Sequence, residues 1–324
     1  MKRIVGLGSP IIDEIAFIEE SFLTGISGAK GGMELIPESE LAQLKSNIGQ
    51  TLKRIPGGSA GNTIFALARL GIPTGFIGKI GNCASGRYYK ETLTQCGGST
   101  ESFKEGSTQN GNCLSLVTPD GERTMRTALG AATELSADEI LDGDFKAFDH
   151  VHIEGFMIHN PKVLEKSLNL AKSNNCTVSF DLASFEIVNQ SRDRLKQLLA
   201  TSVDMVFANE EEAAAFTERP LSEAKASAEI LNELCPTAVV KLGAEGSIIA
   251  SEQTFHYIEA LQVETVIDTT GAGDFWAAGF LYGWAHQKSI TDSARIGALL
   301  ASSVIQNHGA TLNEFQWAQI LDQI

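Results

Sequence analysis

The chain has 324 residues, 43% hydrophobic and 20% charged, which suits a soluble globular protein: two domains, or one large α/β domain with an accessory piece. Lys and Arg number 25 against 40 Asp and Glu, and the net charge of −15 argues against nucleic acid or an anionic membrane as partner. Five cysteines without a C-x-x-C pair read as reduced thiols, and the absence of a signal peptide or a bilayer-spanning apolar run points to the cytoplasm.

Ile4-Val5-Gly6-Leu7-Gly8 reads as a short strand ending in glycine, with Asp13 soon after. Gly6-x-Gly8 lacks the third glycine of a dinucleotide fingerprint, because position 11 is isoleucine. Residues 16–54 are irregular and glycine-punctuated, apart from a helix expected over 39–48. Gly57-Gly58-Ser59-Ala60-Gly61-Asn62 is a glycine-rich turn opening a helix that stops at Gly71-Ile72-Pro73. A strand at 76–78 and a helix over 85–95 follow. Leu114, Leu116 and Thr118, set against Thr124, Arg126 and Ala128 across Pro119-Asp120-Gly121, predict a hairpin.

The second half alternates regularly. Strands are expected at 151–153, 177–180, 205–207, 238–241 and 247–249, with helices over 161–173, 192–200, 210–216, 222–234 and 291–306. That alternation predicts a mostly parallel, doubly wound sheet that binds ligands outside the carboxyl ends of its strands. His150-x-His152 puts two imidazoles on one strand face, but no third ligand sits at a metal-binding spacing.

The most informative stretch is Asp268-Thr269-Thr270-Gly271-Ala272-Gly273-Asp274. A β-branched lead-in, 263–267, reads as the end of a strand, and the small apolar run after Asp274 reads as a buried helix. A glycine turn opening a helix leaves free N–H groups at the positive end of the dipole, a place for an anion. Asp274 then has two readings. It complements the helix dipole, or it is a general base for a hydroxyl, with Gly271, Ala272 and Gly273 stabilising charge on a transferred group.

Taken together, Asp13, Gly57-Gly58-x-x-x-Asn62, Asn209-x-x-Glu212, Lys241-x-Gly243-x-x-Gly246 and Asp268-Thr-x-Gly-x-Gly-Asp274 resemble the PfkB-type, ribokinase-like carbohydrate kinases over essentially the whole chain. There is no P-loop motif and no protein-kinase Asp-Phe-Gly. The resemblance implies transfer of the ATP γ-phosphoryl to an alcohol with Mg2+. Asp274 would be the base and Gly271, Ala272 and Gly273 the anion hole. Asp13, Gly57, Gly58 and Asn62 would hold the acceptor. Asn209, Lys241, Gly243, Gly246, Asn307 and His308 would bind ATP, with Glu212 acting on Mg2+ indirectly. Asp268 and Thr270 leave room for a monovalent cation such as K+.

Within that superfamily, His152-Ile153-Glu154-Gly155-Phe156, Ser179-Phe180-Asp181 and the long excursion between Asp13 and Gly57 are similar to adenosine kinases. On that branch Phe156 would stack on a base, Met125 and Thr127 would line the lid, and Arg123 would lie near the phosphates. Ser9 stands where that branch suggests asparagine, and Thr127 adds a hydroxyl to a usually apolar position. The expectation is a three-layer α/β core from 1–13, 57–97 and 129–324. A β-rich lid from 14–56 and 98–128 would cover a nucleoside or sugar. A ribokinase- or fructokinase-type sugar kinase and a non-catalytic binder remain as alternatives, and a monomer and a homodimer are both open.

Overall fold

The computed structural model describes residues 1–49, 52–120 and 122–324. The first half contributes strands β1 (Ile4–Leu7), β2 (Ile11–Phe17), β3 (Met33–Leu35), β4 (Lys53–Pro56), β5 (Thr74–Gly81), β6 (Phe103–Gly106), β7 (Asn110–Val117) and β8 (Arg123–Gly130). The second contributes β9 (His150–Glu154), β10 (Thr177–Asp181), β11 (Met205–Asn209), β12 (Thr237–Lys241), β13 (Ser247–Ser251) and β14 (Thr254–Ile258). Helices are α1 (Glu38–Ile48), α2 (Ser59–Arg69), α3 (Ala84–Gln95), α4 (Gly143–Lys146), α5 (Pro161–Ser173) and α6 (Phe185–Ser202). Five more follow: α7 (Glu210–Thr217), α8 (Ala224–Leu234), α9 (Ala272–Ala285), α10 (Ile290–Val304) and α11 (Glu314–Leu321).

The main sheet runs β14-β13-β12-β11-β10-β9-β1-β5-β6. From β12 to β6 every neighbour is parallel, and β13 and β14 add antiparallel at one edge. Parallel strands buried on both faces need helices on both sides. One face packs under α2, α9 and α10, with Ile64, Leu67, Phe275, Trp276, Phe280 and Leu300 in a single cluster. The other face carries α5, α6 and α8, with Val163, Leu195 and Leu231 buried. This is the three-layer, mostly parallel α/β architecture that the strand–helix alternation predicts.

A second sheet, β3-β8-β7-β2-β4, stands beside the first. One of its faces packs Ala16, Leu114, Leu116 and Ala128 against Leu41 and Leu44 of α1. The expected hairpin is present, pairing Leu114 with Arg126 and Leu116 with Thr124, while Gly121 of its turn lies outside the described residues. β6, within the stretch expected for the lid, pairs with β5 of the main sheet instead.

One expectation needs correction. Residues 263–267 form no strand; Val266 and Ile267 are exposed, and the Ile267 and Asp268 N–H groups both donate to the Ile305 carbonyl at the end of α10. The end of the stretch is tied to the end of α10 rather than to a strand, so its β-branched residues do not extend the sheet beyond β14.

Candidate active site

The parallel strands place their polar residues at one end. Glu154 closes β9 and pairs in register with Asp181 of β10, while Asn209 of β11 pairs with Lys241 of β12. Glu154 is buried, and its two oxygens accept from Ser9 N at 2.8 Å and Ala60 N at 3.2 Å. One carboxylate therefore fixes both the turn after β1 and the start of α2. Burial, more than the nearby charge of Asp274, pushes its pKa up to about 7 against these stabilising N–H groups.

Helix α9 brings the glycine turn to this end. Its run of small and apolar residues is buried nearly all round, between α2 and α10. Gly271 caps it at φ +74°, a left-handed conformation that disfavours a side chain, and a Cβ there would meet Ala310 Cβ at 2.5 Å. Asp274 follows in the first turn. Its Oδ1 accepts from Ser59 Oγ and its Oδ2 from Asn62 Nδ2, each at 2.8 Å. Burial and then the charge of Asp181 raise its pKa to about 6, opposed by those two donors and by Lys241. Asn62 Oδ1 is buried without a partner among the described residues, an acceptor left open beside the carboxylate. Gly58, at φ +85°, lies so close to the Ser9 carbonyl that a Cβ would come within 2.3 Å of it. The two glycine turns thus converge on Asp274.

A cleft of about 780 Å³ opens in front of the turn, lined by Asp181, Glu212, Lys241, Gly271 and Asp274 among others. Asn209, Gly243 and Gly246 also line it, toward Val263 and Ala298. Lys241 Nζ is 3.1 Å from Asp181 Oδ2 and would lie 2.9 Å from a Cβ on Gly273, so the ammonium sits at the mouth of the helix N-terminus. Burial works against that charge, but Asp181 and Glu212 outweigh it and hold the Lys241 pKa up. Glu212 is raised by burial and by Asp181. It also serves the helix: Glu212 N donates to Asn209 Oδ1, and Asn209 N and Nδ2 donate back to Glu212, a capping box.

The second sheet faces the same region. Asp13 on β2 lies against Gly57, where a Cβ would come within 2.4 Å of its carboxyl. Burial raises Asp13 to about 7, aided by Asp274 and Asp268 and opposed by Arg123. Asp13 pairs with Cys113, Cys113 with Thr127, and Thr127 with Leu35, one row across four strands. The next row holds Met33, Met125 and Ser115. Met33, Leu35 and Phe156 are exposed.

Arg123, at the start of β8, places Nε 3.1 Å from Asp268 Oδ1. Burial alone would raise Asp268, yet hydrogen bonds from Thr270 and Gly309, with Arg123, keep it below the usual carboxylate range. Asn307 and His308 do not line the cleft: Asn307 donates to the Ser303 carbonyl, and His308 meets Phe17 edge-on with ring centroids 4.9 Å apart.

Two site residues, Glu154 and Ser59, carry no role in the sequence reading, and Asp181 enters it only as an acid after a strand at the ligand-binding end of the sheet. Their signal is faint, a single charge at the end of each apolar strand and a serine opening a helix. The histidine pair is structural. His150 bonds Thr177 and Ser179, His152 shares Ser179, and burial pushes His152 down to about 4, so both are neutral. Among the described residues, no cluster of three or more His, Cys, Asp or Glu is arranged to hold a metal, and no helix is long and apolar enough to cross a membrane.

Comparison with known proteins agrees with this geometry. The sequence is 29% identical over 248 residues to an uncharacterized sugar kinase of Archaeoglobus fulgidus, covering 75% of this chain and 96% of that one. It is 26% identical to adenosine kinase 2 of Arabidopsis thaliana, over 96% of both chains. The crystal structure of adenosine kinase from Sinorhizobium meliloti superposes with a TM-score of 0.90 at 28% identity, covering 100% of this chain and 99% of that one. Residues 28–317 match the family described as pfkB family carbohydrate kinase. The chain therefore belongs to the pfkB family of carbohydrate kinases, ATP-dependent phosphotransferases acting on hydroxyl groups.

Proposed function

We propose that the protein is an adenosine kinase-like nucleoside kinase that phosphorylates the 5'-hydroxyl of a ribosyl group. The observation that carries this reading is Asp274, a carboxylate with its pKa raised to about 6 at a helix N-terminus, gripped by Ser59 and Asn62. The helix dipole accounts for an acid in the first turn, but a buried one with a raised pKa is also placed to take a proton where the phosphoryl group arrives.

Asp274 accepts the proton of the acceptor hydroxyl, and the oxygen attacks the γ-phosphorus in line. The open Asn62 Oδ1 and the Asp13 carboxyl hold acceptor hydroxyls. The N–H groups of Gly271, Ala272 and Gly273 meet the charge that develops on the phosphoryl oxygens. Lys241 lies beside them, and the Arg123 guanidinium approaches the phosphates from the other side. Closure of the smaller sheet over the site excludes water and so limits hydrolysis.

Asp181 and Glu212 line one cleft beside the Lys241 ammonium, two carboxylates whose oxygens suit a divalent cation that arrives with ATP. Asp181 and Glu212 would hold Mg2+, directly or through water; when bound it neutralises the ATP phosphates. The nucleoside is preferred over a plain sugar because the second sheet offers exposed apolar Met33 and Leu35 beyond Asp13. A flat base covers such side chains, whereas a small sugar leaves them wet.

ADP release from ATP with adenosine, inosine, ribose and fructose tests the reading. Adenosine should give the highest kcat/KM. Turnover confined to ribose or fructose would make the protein a sugar kinase, and thermal stabilisation by a ligand without any ADP release would make it a binder.

A further inference from the structure

The second sheet brings two positive charges onto the loops that flank the anion hole. Arg123 Nε is 3.1 Å from Asp268 Oδ1, and Lys53 Nζ donates to the His308 carbonyl at 3.0 Å. These loops, Asp268–Thr270 and the segment ending at Gly309, are where the family resemblance leaves room for K+. A potassium ion has to be wrapped by oxygen lone pairs, and here a guanidinium already stands against the carboxylate that would hold it. Asp268 Oδ1 accepts from Thr270 N at 2.9 Å and Thr270 Oγ1 at 2.6 Å, and Oδ2 accepts from Gly309 N at 2.7 Å. The Ile305 carbonyl takes two N–H groups, and the carbonyls of Thr269, Val304 and Gly309 each take one, from Ala272, Asn307 and Thr311. With the Arg123 guanidinium added to the donors on Asp268, the residues present do not fit a bound potassium ion.

A buried carboxylate at this place still needs a counter-charge. The Asp268 side chain is only 5% exposed, and it stands close to where a multiply charged phosphoryl group would arrive. Removing one partner of such a pair leaves an uncompensated charge. We propose that Arg123 itself supplies the positive charge at Asp268, so that phosphoryl transfer needs no monovalent cation.

The proposal rests on the kinase reading and adds a consequence to it. The counter-charge travels with the smaller sheet, so the loop preceding the anion hole is neutralised only when that sheet is down. Ile15 and Ile55, on β2 and β4 of the same sheet, press on Gly309, where a Cβ would meet Ile55 Cδ1 at 2.3 Å. Closure and completion of the anion hole become one event.

The test compares wild type, R123K and R123M in tetramethylammonium, sodium and potassium chloride at equal ionic strength. Both turnover and the unfolding midpoint of the free protein are read. Wild type and R123K should differ between K+ and tetramethylammonium by less than about twofold in rate, with no K+-specific rise in midpoint. R123M should lose about 10²-fold in rate, recover at least about fivefold with K+, and gain a K+-specific rise in midpoint. Stimulation of wild type by K+ beyond about fivefold, or an R123M protein indifferent to K+ in both readouts, overturns the proposal. If wild type turns over no acceptor, the functional reading fails, and the unfolding measurements still decide this one: K+-specific stabilisation of R123M alone supports it, and of wild type overturns it.

Discussion

Asn62 donates its side-chain amide to Asp274 Oδ2 at 2.8 Å across 212 positions of sequence. The bond joins the first turn of α2 to the first turn of α9, so the two glycine turns that open those helices share one carboxylate. The sequence reading assigns Asn62 to the acceptor; here its amide donates to the carboxylate proposed as base, and its Oδ1 has no partner among the described residues.

Replacing the base is the first check. Asp274→Asn should lower kcat by about 10²–10⁴-fold while acceptor binding, followed by calorimetry, stays within a fewfold. Near-wild-type turnover would remove Asp274 from the mechanism.

The acid limb of the rate profile reports the same group. With its pKa near 6, Asp274 of the free protein is protonated at lower pH and cannot accept a proton, so kcat/KM should fall as pH drops through about 6. Asn62→Ala removes a donor that favours the carboxylate, and the limb should move to higher pH, by about one unit. A limb that stays in place in the variant would mean another group titrates.

Stability should run the other way. The native carboxyl binds its proton more tightly than an unfolded aspartate at 3.8, so between 3.8 and about 6 the native state holds more protons. Stability falls as pH rises through that window, by about 1–2 kcal/mol for this partly exposed group. Urea unfolding midpoints at pH 4 to 7, compared with those of Asp274→Asn, isolate the contribution; identical pH slopes would contradict it.

Lys241→Met leaves Asp181 and Glu212 without their ammonium and takes a cation from the mouth of the anion hole. We expect kcat/KM for ATP to drop by about 10²-fold, with KM for the acceptor little changed. Steady-state kinetics with each substrate varied separates the two.

Where α9 crosses α10, a Cβ on Gly279 would meet the Ile296 carbonyl carbon and oxygen at 2.6 Å, backbone that cannot step aside. Gly279→Val should destabilise by about 1–3 kcal/mol in chemical denaturation. An unchanged midpoint would mean the helices separate more easily than their packing suggests.

Much of this was legible in the chain. Strand-and-helix alternation pointed to the parallel sheet because buried strands and amphipathic helices leave different periodicities, and α5 falls on the predicted 161–173 with Asn160 capping it ahead of Pro161. The pieces that escaped depend on long-range partners. The stretch 263–267 has the composition of a strand, but the Ile267 N–H is taken by the Ile305 carbonyl at the end of α10 rather than by a neighbouring strand. Glu154 is one acid after an apolar strand, and nothing local says its oxygens will reach Ser9 and Ala60. Arg123 and Asp268, likewise, meet only because β8 of the smaller sheet starts over the core.

The all-round burial of α9 bears on how the protein distributes its motion. A helix enclosed by α2 and α10 has no easy way to shift, so Asp274 and the glycine turn at its start are expected to be held in place before any ligand arrives. Movement is left to the smaller sheet, held by its own small cluster around Leu41 and Leu114. Amide exchange in 275–285 should therefore be slow and indifferent to ligand, governed by global unfolding, while exchange in 33–48 should slow sharply when acceptor binds. The protein keeps its chemistry still and lets the cover do the recognising.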